Sequence, residues 1–331
     1  MMKKNILKQI DDILREHDDF VVAGHVNPDG DSVGSCFGMA ASLKKRGKSV
    51  TVVLESYHEK FNVIPGKNML CGSSFQALKP GVLICLDCAD VSRLGGAGVL
   101  IEKASLTVCV DHHFTNKGFA DVNFIDKNAS STCELVFRLI TDDALNDKDI
   151  AAALYAGMVH DTGGFCFAST DKKTMHAAGR LISTGIPYTH IYNELMTSKS
   201  LIETKLLGSA LNDCGTYFGG KIVCACVTQE MLDNVQINAS TVSKGTGKDL
   251  DGIVEQLLAV RGAEAAVLIY ARKTGEYKVS LRSHAVDIGN VASYFGGGGH
   301  RLAAGCTVTG ELDEIKNKVI DMVTKAVKKN G

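Results

Sequence analysis

The chain has 331 residues, 45% hydrophobic and 22% charged, with 36 basic against 37 acidic side chains and a formal charge of −1. That length exceeds what one hydrophobic core usually serves, so two domains are expected. Near-neutral charge argues against long nucleic-acid duplexes and anionic membranes as partners, and no apolar run approaches the roughly 18 residues that span a bilayer.

The stretch from Met1 to Asp12 reads as an amphipathic helix rather than an export segment. Eleven cysteines without a regular framework fit reduced thiols and a cytoplasmic location. A short apolar strand, Phe20 to Gly24, then runs into His25-Val26-Asn27-Pro28-Asp29-Gly30-Asp31. Pro28 and Gly30 force a tight turn there. An imidazole and two carboxylates crowded onto one turn are costly unless a cation offsets them. Asp31 alone would cap the next helix, Ser32 to Arg46, which leaves His25 and Asp29 for a divalent metal.

Ser49 to Leu54, Val82 to Leu86 and Leu106 to Val110 follow as strands, the last two apolar throughout, as in a sheet covered on both faces. The β-α-β order predicts an α/β fold with a parallel sheet, helices on both sides, and a site at the carboxyl ends of the strands. Asp87 stands at one such end and Asp111-His112-His113 at another. Asp90 and Arg93 can pair on the turn after Asp87. Cys85 and Cys88 spell C-x-x-C around Asp87, but no second pair stands at zinc-finger spacing, so they read as small packing residues.

From Ser131 the pattern turns helical: Thr132 to Thr141, Asp149 to His160, Asp171 to Thr184, Ile191 to Met196 and Leu201 to Leu211. His160-Asp161-Thr162-Gly163-Gly164 ends the second of these, with glycines that let a ligand approach the backbone. A new domain begins in the turn-rich stretch Asp213 to Gly220. It contains a hairpin of Thr216 to Phe218 with Ile222 to Val227, strands Ala263 to Arg272 and Tyr277 to Arg282, and helices Asp287 to Phe295 and Glu311 to Lys329. Gly296-Gly297-Gly298-Gly299-His300 offers successive backbone N–H groups to a phosphate. Arg282-Ser283-His284, at a strand end, offers a guanidinium clamp.

Taken together, His25-x-x-x-Asp29-x-Asp31, Asp87, Asp111-His112-His113 and Asp161 resemble the four ordered motifs of the DHH phosphoesterase superfamily. The glycine run with Ala303-Ala304-Gly305 resembles the signature of the DHH-associated C-terminal domain. Size, layout and Ala129-Ser130-Ser131-Thr132-Cys133-Glu134-Leu135 are most similar to the nano-RNase group. The resemblance implies a catalytic domain over 1–196, a helical linker over 197–214 and a smaller α/β substrate-binding domain over 215–331, with a cleft between the domains.

It also implies two Mn²⁺ ions, with Mg²⁺ or Co²⁺ as alternatives. His25 and Asp29 would hold one, Asp31, His112 and Asp161 the other, and Asp87 both. Two such ions share a water and clamp a phosphoryl group. His113 would donate to a phosphoryl oxygen as charge builds. Arg282, Ser283, Gly297, Gly298, Gly299 and His300 would bind substrate. The implied activity is hydrolysis of short single-stranded RNA or DNA oligonucleotides to mononucleotides, and of adenosine 3′,5′-bisphosphate to AMP. Homodimerisation is left open. Cyclic di-AMP or pApA hydrolysis is the alternative on the same core. An inorganic pyrophosphatase would crowd its C-terminal domain with basic residues, where this chain has glycines and a histidine.

Overall fold

The structure, a computed structural model, describes residues 2–235, 250 and 252–330. The chain divides into two compact units, Met1–Ser198 and Lys199–Gly331.

In the first unit, strands β1 (Asp19–Ala23), β2 (Ser49–Val53), β3 (Val82–Leu86), β4 (Leu106–Asp111) and β5 (Val122–Ile125) form a wholly parallel sheet in the order β2-β1-β3-β4-β5. The edge strand β5 escapes the sequence pattern because it is only four residues long and alternates in burial. Apolar faces of α1 (Met2–Glu16), α2 (Gly30–Lys45), α3 (Thr132–Leu139), the single turn α4 (Asp142–Leu145) and α5 (Lys148–Asp161) share one core with the sheet. Ile10, Phe37, Leu135 and Leu154 there meet Phe20, Val22, Ile84 and Val110.

The sheet is flanked by helices as expected, but the opposite face is covered by a 3₁₀ helix rather than an α-helix. Val21, Leu83 and Cys85 pack there against Leu94, Ala97 and Leu100 of a 3₁₀ segment, Val91–Leu100. Its sequence contains Gly95-Gly96-Ala97-Gly98, and Gly95 has φ 53, which an α-helix cannot accommodate.

Helices α2 and α5 cross closely because glycines line the contact. A Cβ on Gly34 would lie 2.5 Å from the Ala153 carbonyl oxygen, one on Gly38 2.7 Å from Leu154, and one on Gly157 3.1 Å from the Asp31 Cα. This crossing brings the start of α2, which holds Asp31, beside α5, which ends at Asp161.

The second unit is a six-stranded mixed sheet. Strands β6 (Gly215–Tyr217), β7 (Ile222–Val227), β8 (Ala265–Lys273), β9 (Glu276–Ser283), β10 (Gly298–Gly299) and β11 (Ala303–Thr309) run in the order β10-β11-β9-β8-β7-β6, and only β7 and β8 pair in parallel. The C-terminal helix Leu312–Asn330 covers one face through Ile315, Val319 and Val323. Leu206 and Ala210 of the helix Leu201–Asn212 are buried in the core on the other face. The segment expected to link two domains is therefore a packed part of the second unit. No helix among the described residues is long and apolar enough to cross a membrane.

Candidate metal centre

All six side chains expected to bind metal meet at one edge of the parallel sheet. His25 follows β1, Asp87 follows β3, and His112 follows β4. Asp31 lies in the first turn of α2, and Asp161 is the last residue of α5. Asp87 turns out of its strand with φ 60, an uncommon conformation for a residue with a side chain, and its N–H donates to the Val110 carbonyl.

The donors form groups whose ligand atoms lie within 4.8 Å of one another: His25, Asp29 and Asp87; Asp31, His112 and Asp161; and Asp87, His112 and His113. Nε2 of His25 is 3.7 Å from Asp29 and 3.4 Å from Asp87. Nε2 of His112 is 3.9, 3.7 and 3.3 Å from carboxylate oxygens of Asp31, Asp87 and Asp161.

Ring orientation separates the histidines. His25 Nδ1 lies 2.8 Å from the Val26 carbonyl, and His112 Nδ1 lies 3.4 Å from that of Ala129. A carbonyl only accepts, so Nδ1 carries the proton in each ring and Nε2 presents a lone pair to the carboxylates. Lone pair against anion is unfavourable; a second proton or a bound cation must intervene. His113 differs, because its Nδ1 donates to Asp111 at 2.7 Å and lies 3.6 Å from Asp87, and its Nε2 has no hydrogen-bond partner among the described residues. Asp111 is buried and is held from its other oxygen by the Asn116 amide at 2.7 Å.

The electrostatics agree. Burial, and then the charges of Asp87 and its neighbours, push the Asp31 carboxyl up to about 7. Burial, and then Asp31 and Asp87, push Asp161 up to about 9. Burial opposes charge on His25, but its contacts with Asp29 and Asp87 prevail and raise it to about 10. Four carboxylates are thus crowded beyond what the protein alone neutralises, and two divalent cations would match them. The donors are four carboxylates, which suit Mn²⁺ and Mg²⁺, and two imidazoles, which favour a first-row transition metal over Mg²⁺.

Several supporting residues lie outside the sequence-predicted set. Thr132 Oγ1 donates to Asp87 at 3.0 Å, and the Thr132 and Cys133 N–H groups donate to Asp31 at 2.6 and 2.9 Å. The positive end of α3 thereby faces a buried carboxylate. Ser131 caps that helix by accepting from the Glu134 N–H, while the Glu134 carboxylate accepts from Ser130 and Thr174. Arg93 and Asp90 meet on their turn as expected, the Arg93 N–H donating to the Asp90 carbonyl and the Ser92 hydroxyl, with the guanidinium charge helping, lowering the Asp90 carboxyl; Asp90 also accepts from the Ser92 N–H, and Arg93 Nη2 comes within 3.2 Å of His25 Nδ1, two donors side by side. The cap of α2 is Asp29 rather than Asp31: Asp29 Oδ1 accepts the N–H groups of Asp31 and Ser32. Cys85 and Cys88 are buried packing residues, as expected, together with Cys36, Cys109 and Cys133. Burial pushes all five thiols up.

The residues expected to bind substrate lie in the second unit and are largely engaged within it. Arg282 Nε donates to Glu255 at 2.9 Å. Ser283 is buried, and its hydroxyl donates to the Val286 carbonyl. Gly298 and Gly299 pair with Gly305 and Ala304 as the exposed edge strand of the sheet, with open space beside Gly296 and Gly298. A Cβ on Gly297 would meet the Gly305 carbonyl oxygen at 2.2 Å, and one on Gly299 the Ala303 oxygen at 2.6 Å. These glycines therefore answer to close strand packing. His300 is exposed, and its N–H donates to the Ala303 carbonyl.

Residues 19–158 match the model of the DHH family N-terminal domain, and residues 234–329 match that of the DHHA1 domain. The chain belongs to the DHH family. Among DHH proteins it is 30% identical, over 94% of its own length and 90% of the relative's, to a bifunctional oligoribonuclease and PAP phosphatase NrnA of Thermus thermophilus. The crystal structure of an exopolyphosphatase-related protein from Bacteroides fragilis superposes with a TM-score of 0.86 at 25% identity, covering 98% of this chain and 96% of that one. Exonuclease RecJ bound to manganese shares the fold, with a TM-score of 0.53 at 12% identity over 95% of this chain and 93% of that one.

Proposed function

We propose that this DHH protein is a metal-dependent phosphoesterase that cuts short single-stranded oligonucleotides to mononucleotides and converts adenosine 3′,5′-bisphosphate to AMP. One observation carries the reading: two donor groups, His25–Asp29 and Asp31–His112–Asp161, stand on either side of a shared Asp87. The oligoribonuclease and PAP phosphatase from Thermus thermophilus supports the substrate class. The manganese in RecJ and a donor set dominated by carboxylates support Mn²⁺ as the metal.

Divalent cations bound at such a centre lower the pKa of water and neutralise phosphoryl charge. The chain's own residues do the rest. Thr132 and the α3 N-terminus fix Asp87 and Asp31 in place. His113, oriented by Asp111 and Asn116, offers its Nε2 to a phosphoryl oxygen, where charge grows in the transition state. The Asp111 contact raises the affinity of His113 for its proton, which favours the donating form near neutral pH.

The test is direct. Protein incubated with Mn²⁺ and, separately, a dinucleotide, adenosine 3′,5′-bisphosphate, cyclic di-AMP and pyrophosphate should release mononucleotide from the first and AMP from the second, faster than it turns over the others. An intact dinucleotide would overturn the proposal.

A further inference from the structure

Two loops that adjoin the Asp31–His112–Asp161 group in the chain, one holding His112 and one following Asp161, each display a phenylalanine. Phe114 directly follows His113 and is 66% exposed; Phe167, in the loop after Asp161, is 59% exposed. Burying such a ring would stabilise the protein by roughly 2 kcal/mol, and both exposed rings follow, in the chain, residues of one donor group.

Both displays are built into the backbone. The loop at Phe114 is closed by the Asn116 N–H, which donates to the His113 carbonyl. In the other loop Gly163, Gly164 and Phe165 all have positive φ, at 57, 68 and 67. Glycine tolerates this conformation, whereas for Phe165 it is strained. Thr162 secures the turn: its carbonyl accepts from Cys166 and Phe167, and its hydroxyl accepts from Phe165. Phe165 is turned inward, its ring 6.0 Å from that of Tyr155, while the Phe167 ring lies over Gly163, where a Cβ would approach it to 2.5 Å. One phenylalanine anchors the strained loop and the other is held out.

We infer that Phe114 and Phe167 are stacking surfaces for the bases of a nucleotide whose phosphate sits at the adjacent metal centre. The inference rests on the reading of the chain as an oligonucleotide phosphoesterase. A chain with a formal charge of −1 has little bulk attraction for phosphates, so base contacts must contribute affinity. Every base has a π-face, and a phenyl ring has no polar atom with which to read a base edge. Stacking on these rings is therefore indifferent to sequence. It distinguishes a nucleotide from a bare phosphoester such as pyrophosphate.

The experiment compares the unmodified protein with Phe114→Ala, Phe167→Ala and the matching Leu variants, all in Mn²⁺. Substrates are a dinucleotide and the same backbone with abasic residues in place of both bases. Each Ala variant should raise KM for the dinucleotide by about tenfold, with kcat nearly unchanged and no shift on the abasic compound. The Leu variants, which keep apolar bulk but lack the π-face, should resemble Ala. Unchanged KM in both Ala variants would overturn the inference, as would equal losses on the two substrates. Cleavage absent from the unmodified protein would overturn the functional reading and this inference with it, a failure distinct from one confined to the variants.

Discussion

His112 and His113 are neighbours in sequence yet take different parts, and the difference lies in which ring nitrogen is occupied. Both Nδ1 atoms are tied, but His112 then points Nε2 at three carboxylates while His113 Nε2 has no hydrogen-bond partner among the described residues. His113→Ala should therefore lower kcat by about 10²–10³, the cost of removing one donor to a developing oxyanion. Bound metal should stay at the unmodified level, measured by elemental analysis after gel filtration. Loss of metal together with activity would make His113 a ligand instead. Asn116 and Thr132 were illegible as site residues because each acts on a partner that only the fold brings near: Asn116 fixes Asp111, and Thr132 reaches Asp87.

At the scale of elements, the α2–α5 crossing sets the spacing of the centre. Gly157 admits the Cys133 sulfur, and a Cβ there would also lie 3.1 Å from Asp31. Gly157→Ala should cost about 1–3 kcal/mol of stability through overpacking and should weaken metal binding, since Cys133 and Asp31 must both shift. Thermal melting and metal titration check the two effects; a variant as stable and as metal-avid as the parent would contradict the packing argument. The strand-end motifs of the first unit were legible because apolar runs that stop at ligand-type residues leave a local mark. The 3₁₀ layer was not, since its glycines read as loop, and neither was the packed role of Gly297 and Gly299, which depends on β11 lying alongside. The capping role of Asp29 was missed because two aspartates two positions apart compete for it, and helix entry at Gly30 decides between them.

For the whole molecule, the crowded carboxylates make stability depend on pH and on metal. Asp31 at about 7 and Asp161 at about 9 bind protons more tightly when folded than unfolded, and so does His25 at about 10. Each contributes stability at low pH that is lost as pH rises through these values. Metal-free protein should thus melt at lower temperature at pH 9 than at pH 6. Added Mn²⁺ should raise the melting temperature more at pH 9, where the ligands are already deprotonated. A melting temperature independent of pH between 6 and 9 without metal would refute the account. The five buried cysteines around the centre carry a separate consequence for the company the protein keeps in a cell. Burial, the first cause of the upward shift in each thiol, disfavours the thiolate that thiophilic ions bind and peroxides attack.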